Sequence, residues 1–225
     1  MVEEARAYIK KCALQSEIVE KTEDMKNKLY EILHDGAIPF TRTYTVDNLS
    51  LFRPGKENIA VYSLNGDTLT FGADKEANSS AALMYDPREL TAGETVKAKV
   101  NFGDMNNWNA FAIKQVSPQG ASTIVSSRGY YIVLKKEVFE LQKYPVKGTA
   151  IIATAPNEGI IAPNTYHEIE TSCTLVDENS MHIVFKVDGK VALEYTDTDN
   201  PIKDTGYFSI QAVSGSSPQM SMQAN

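Results

Sequence analysis

Residues 166–212 read YHEIETSCTLVDENSMHIVFKVDGKVALEYTDTDNPIKDTGYFSIQA. Apolar and polar residues alternate along three runs. Turn signals join the runs: Asp177-Glu178-Asn179-Ser180, then Asp188-Gly189, then Asp204-Thr205-Gly206. A strand points successive side chains to opposite faces, so alternation with a period of two marks a half-buried strand. Asp-Gly favours a two-residue hairpin, because that turn needs backbone with positive φ that these residues tolerate. The stretch therefore predicts an antiparallel β segment.

The same pattern extends backwards. Strand-like runs fall at 59–64, 68–72, 81–85, 95–102, 110–116, 130–135 and 138–143, ahead of those at 166–176, 181–187, 191–195 and 207–213. Short strands with turns between them at this density are the mark of a sandwich or barrel. No segment of helical period interrupts them, which excludes alternating strand-helix units. Residues 2–35 differ. They lack Gly and Pro, and Met25, Leu29, Ile32 and Leu33 share one face at helical spacing, as do Ile9, Cys12 and Ala13. This predicts a helical appendage, or the tail of a preceding helical module, over 1–36, and a β domain over 37–225.

The lettering also carries a resemblance. YHEIE, a strand ending in V-D-G-K, a short strand running into an Asp-rich turn, and GYFSIQA resemble the end of a concanavalin A-like jelly roll. LNGDTLTFG at 64–72 resembles an early strand of that superfamily. NNWNAFAIKQ at 106–115 and RGYYIVLKKEVFELQKY at 128–144 resemble its central hairpins, and MSMQAN at 220–225 its closing strand. The superfamily includes lectin-like, laminin G-like and glucanase-like domains. The resemblance implies a mostly β fold, a two-sheet antiparallel jelly-roll sandwich. Strand parity then predicts a core of Phe111, Ile113, Val133, Phe139, Leu141, Ile169, Ile183, Phe185, Val187, Phe208 and Ile210.

Bulk properties narrow the function. The chain has 225 residues, a net charge of −7 and no basic run, which argues against nucleic acid as a partner. No stretch approaches the apolar length of a membrane span, so no membrane insertion is expected. Residues 1–15 carry early acids and no apolar core run, unlike a signal peptide. The two cysteines, Cys12 and Cys173, lie in unlike settings and do not suggest a disulfide framework.

Glycosidases of the resembled fold carry E-x-D-x-E or E-x-D-x-x-E on one strand, since retaining chemistry needs two carboxyl groups about 5–5.5 Å apart. The chain has neither motif. Glu168-Ile169-Glu170 comes nearest and reads as a solvated outer face. His34, His167 and His182 sit in unrelated settings, and no G-x-S-x-G elbow occurs. No catalytic residue is therefore assigned. Relatives often bind a structural calcium, so the resemblance makes Asp104-Met105-Asn106-Asn107 and Asp197-Thr198-Asp199-Asn200, with Asp204, candidate oxygen clusters for it. No other cofactor is expected.

A sugar has an apolar face and a polar rim, so its sites pair a flat ring with fixed hydrogen-bonding groups. Trp108 is the only tryptophan and leads the strand in which Ala110, Ala112 and Lys114 oppose Phe111 and Ile113. Two alanines there predict a shallow floor. Arg128 and Tyr130 precede the next strand, and Glu140 and Gln142 share the polar parity of its partner. Trp108, Lys114, Arg128, Tyr130, Glu140 and Gln142 are therefore the candidate ligand-binding residues. The expected function is a non-catalytic carbohydrate (glycan)-binding module of a larger extracellular or cell-surface protein, with a polysaccharide or glycan and other domains of the parent chain as partners. A structural or adhesive module that binds protein is the alternative, and a diverged glycoside hydrolase a third reading.

Overall fold

The structure, a computed structural model, describes residues 21–22, 40–74, 80–105, 108–145, 150–213 and 220–225. The helical pattern of residues 2–35 lies outside them, apart from Lys21 and Thr22, which are helical. The chain divides into two units, Met1–Phe40 and Thr41–Asn225.

The second unit opens with β1 (Thr41–Arg42), a single-turn helix α1 (Val46–Leu49), β2 (Arg53–Pro54), β3 (Ala60–Asn65), β4 (Thr68–Ala73), β5 (Ala81–Tyr85) and β6 (Thr95–Asn101). Then come β7 (Asn109–Gln115), a 3-10 turn (Ile124–Ser126), β8 (Gly129–Leu134), β9 (Val138–Tyr144) and β10 (Ile151–Pro156). The chain closes with β11 (Tyr166–Asp177), β12 (Ser180–Val187), β13 (Lys190–Asp197), β14 (Tyr207–Val213) and β15 (Met220–Gln223). Among the described residues, eight strands form one sheet in the order β13-β12-β11-β6-β15-β4-β3, with β1 parallel to β6. Seven form the other, β10-β9-β8-β7-β14-β5-β2. The antiparallel strands expected over 166–212 and the two-sheet sandwich that the resemblance implies are present. The Asp188-Gly189 turn has φ values of 49° and 78°, the positive pair that a two-residue hairpin requires.

Aromatic rings fill the space between the sheets. Phe111 and Phe185 lie 5.1 Å apart, and Phe139 meets Phe185 edge-on at 5.4 Å. All the predicted core residues are buried, but Val133 faces the other way. Tyr130, Ile132 and Leu134 enter the inter-sheet core, whereas Tyr131 and Val133 belong to a second apolar cluster on the outer side. The cause lies in β8 itself. Its sequence GYYIVL is buried on both faces, so apolar alternation holds no information about register.

Strand β10 (IIATAP) escaped the sequence reading because it does not alternate and ends in proline. It is an edge strand, where a missing N–H is tolerated. The two-residue strands β1 and β2 are too short to show a period. Arg42 secures β1: its Nε and Nη2 donate to Glu94 at 2.6 and 3.0 Å, and Nη1 donates to Asp86 at 3.0 Å.

Candidate functional site

The site begins with β7, β8 and β9, which are neighbours in the seven-stranded sheet. Their outer face carries Ala110 and Ala112 from β7, Tyr131 and Val133 from β8, and Glu140, Gln142 and Tyr144 from β9. The floor expected over the two alanines is occupied by the protein's own chain. Residues 116–128 fold back over it, and Ile124 packs with Leu83, Ala110, Ala112, Tyr131 and Val133. Polar ties hold this flap. Ile124 N–H donates to Gln211 Oε1 at 2.8 Å, Gln115 Nε2 to Ser127 Oγ at 2.9 Å, and Tyr131 Oη to the Ser127 carbonyl at 2.5 Å. Gly129 ends the flap where a Cβ would stand 2.2 Å from the Lys114 carbonyl, so no larger residue fits.

Beyond the flap a cleft of about 310 Å³ remains open, lined by Trp108, Val125, Val133, Lys135, Glu140, Gln142 and Tyr144. Trp108 precedes β7 and is 38% exposed, so its ring is available at the rim. Glu140 is only 6% exposed. One carboxylate oxygen accepts from Lys135 Nζ and the other from Gln142 Nε2 at 2.8 Å. A carboxylate has about four lone-pair sites, so Glu140 retains acceptor capacity while its charge is balanced and its position fixed. Tyr144 also lines the cleft, its ring 5.8 Å from that of Tyr131.

Trp108, Glu140 and Gln142 are thus brought together. Arg128 lies in an adjoining hollow with Val125, Ser126, Ser127, Tyr144 and Pro145. It is paired with Asp204 at 2.8 Å, both side chains being nearly half exposed. Lys114 and Tyr130 are corrections. A bulge between Ala112 and Lys114 adds a residue to β7, which rotates Lys114 to the inner side opposite Tyr130. Lys114 Nζ donates to the Ile202 carbonyl at 3.2 Å and lines a hollow of about 60 Å³ with Ile113 and Cys173. Tyr130 is fully buried. Its hydroxyl donates to Asp197 Oδ2 at 2.5 Å and accepts from Ile202 N–H at 2.9 Å. Burial, then the bond to Asp197, pushes its phenol far above the ordinary value.

Lys135, Tyr144 and Val125 were missed. Tyr144 shares the parity of Glu140 and Gln142, so extending that strand by one residue would have found it. Lys135 ends the run before the hairpin and needed its pairing with Glu140 to stand out. Val125 arrives from the flap, where no period exists to place it.

The Asp197–Asn200 oxygen cluster, a candidate for calcium, does not fit a second cation. Lys143 Nζ lies 2.7 Å from Asp197 Oδ2 and also donates to the Asp199 carbonyl, so an ammonium already sits among these oxygens. Asp204 is engaged by Arg128. Asn106 and Asn107 lie outside the described residues, and among the described residues no three His, Cys, Asp or Glu side chains cluster to hold a metal. Glu168 and Glu170 pair with Lys97 at 2.8 Å and Lys186 at 2.5 Å on the outer face of the eight-stranded sheet. Each acid is balanced by its own lysine, the solvated face expected there.

Solved structures share this fold. The carbohydrate recognition domain of Emp46p in its potassium-bound form superposes with a TM-score of 0.52 at 10% identity, covering 80% of this chain and 89% of that one. A Bacillus subtilis protein of galectin-like fold gives 0.52 at 11% identity, covering 78% and 87%. A native glycosidic hydrolase gives 0.53 at 14% identity, covering 81% and 92%. No protein-family model matches the sequence, and no curated protein sequence does. The fold is a concanavalin A-like jelly roll.

Proposed function

We propose that the β domain is a non-catalytic glycan-binding module of an extracellular or cell-surface protein. The cleft carries this reading. It sets an exposed indole, Trp108, and a phenol, Tyr144, beside a fixed carboxylate and amide, Glu140 and Gln142. Aromatic rings cover the apolar face of a sugar while fixed polar groups meet its hydroxyls. Among the described residues that line the cleft, Glu140 is the one carboxylate, whereas hydrolysis by the retaining or inverting route uses two. The likeness to carbohydrate recognition domains agrees with this reading at the level of fold.

Titration calorimetry against a panel of neutral polysaccharides, paired with a reducing-end assay, is the test. Binding without release of reducing ends is the expected result. Release of product turns the reading to a diverged hydrolase. Absence of binding across the panel overturns it in favour of a structural or adhesive module.

A further inference from the structure

The cleft does not end at Tyr144. The hollow that holds Arg128 shares both Val125 and Tyr144 with it, and measures about 280 Å³ against the cleft's 310 Å³. Two lobes therefore meet at one valine and one tyrosine. Their direction is set by the strands. Trp108 and Glu140 mark one end. Arg128, which directly precedes the Gly129 paired with Tyr144, marks the other. From Glu140 to Tyr144 the strand advances about 13 Å at the usual rise per residue, longer than a single sugar ring.

The flap decides why the groove runs this way. Residues 116–128 cover the outer face above Leu83, Ala110 and Ala112, so the middle of the sheet is closed. Among the described residues, what stays open is a strip along β9. The charges described there cancel locally, Lys135 against Glu140 in the first lobe and Arg128 against Asp204 at the second. The chain as a whole carries −7, which repels a polyanion.

We infer that the two lobes form one groove along β9 that takes a neutral oligosaccharide of at least two sugar units, lying parallel to the strand, with Trp108 in one subsite and Arg128 in the next. The inference rests on the glycan reading and adds chain length, direction and charge to it. Each lobe contributes contacts of its own. A ligand that spans both gains them for one loss of rigid-body freedom, which is why length raises affinity until the groove is full.

The experiment is a length series. Methyl glycosides of glucose, mannose and galactose are titrated into the full chain beside cello-, manno- and galacto-oligosaccharides of two to six units. The expected result is a rise of at least tenfold in affinity between the monosaccharide and the short oligomers of one series, then a plateau. Arg128→Ala is expected to collapse that ratio toward one, and Trp108→Ala to weaken every member of the series. Equal affinity for one unit and six overturns the two-lobe groove and leaves the glycan reading standing. Binding that ignores Arg128→Ala places the extra units elsewhere and also overturns it. Failure of every member to bind overturns the glycan reading and the groove with it. Thermal unfolding of both variants separates lost binding from lost fold.

Discussion

Lys143 Nζ lies 2.7 Å from Asp197 Oδ2, and both side chains are buried at the end of the sandwich. The pair joins β9 of one sheet to the end of β13 in the other, and the Tyr130 hydroxyl completes it from β8. A charge removed from water needs a partner, and here an ammonium, a carboxylate and a phenol supply one another.

Removing one member should therefore cost more than the interaction is worth by itself. Lys143→Met leaves Asp197 buried and unpaired, and a loss of about 3–5 kcal/mol in urea unfolding is expected. Replacing both, as Lys143→Met with Asp197→Leu, should recover part of that loss. A single variant as stable as the parent would show that water, not Lys143, balances Asp197.

Phe185 is fully buried against Phe111 and Phe139. Phe185→Ala leaves a ring-sized void between the sheets and is expected to cost about 3–5 kcal/mol. Chemical denaturation measures it. A cost below about 1 kcal/mol is incompatible with that position.

Asp86 supplies a pH dependence of known sign. Burial raises its carboxyl, but hydrogen bonds from the Arg88 side chain and backbone, with the charges of Arg42 and Arg88, outweigh it and hold the pKa below the ordinary 3.8. Tyr44 Oη also donates to it at 3.2 Å, and Glu94 faces it across Arg42. A folded value below the unfolded one means the unfolded state binds the proton more readily. The contribution is present above pH 3.8 and lost as pH falls through the lower folded value. Unfolding free energy should drop as acid is added below that point, and Asp86→Asn should flatten the drop. An unchanged slope would assign acid sensitivity to other carboxyls.

Cys173 packs against the core, and burial pushes its thiol up to about 12. The thiolate is the reactive form, so alkylation at pH 8 should spare Cys173 in the folded chain and proceed after denaturation. Peptide mapping by mass spectrometry reads this at Cys173 separately from Cys12. Rapid native labelling at Cys173 would show that β11 opens locally.

Trp108 offers its ring at the cleft rim and is 38% exposed. Trp108→Ala should weaken glycan binding by about 1–3 kcal/mol, the scale of one lost aromatic contact, while the thermal midpoint stays near the parent's. Unfolding of the variant would instead identify Trp108 as a packing residue.

Local pattern was enough to place most strands of this protein. The alternation of 166–212, the Asp188-Gly189 turn and the parity of β9 act over a few residues, so the order of letters carries them. Glu140 and Gln142 were legible because an outward polar residue on a half-buried strand breaks the apolar pattern visibly, and Trp108 because it is the only tryptophan. Tertiary structure decided the remainder. In β8 both faces are buried, one by the opposite sheet and one by residues 116–128, so no period distinguishes Tyr130 from Tyr131. In β7 a single-residue bulge, set by pairing with β8 and β14, turned Lys114 inward. The flap over Ala110 and Ala112, and the ammonium of Lys143 among the oxygens near Asp197, join residues far apart in sequence. Such contacts follow from how the two sheets close on each other, and short-range patterning holds no record of them.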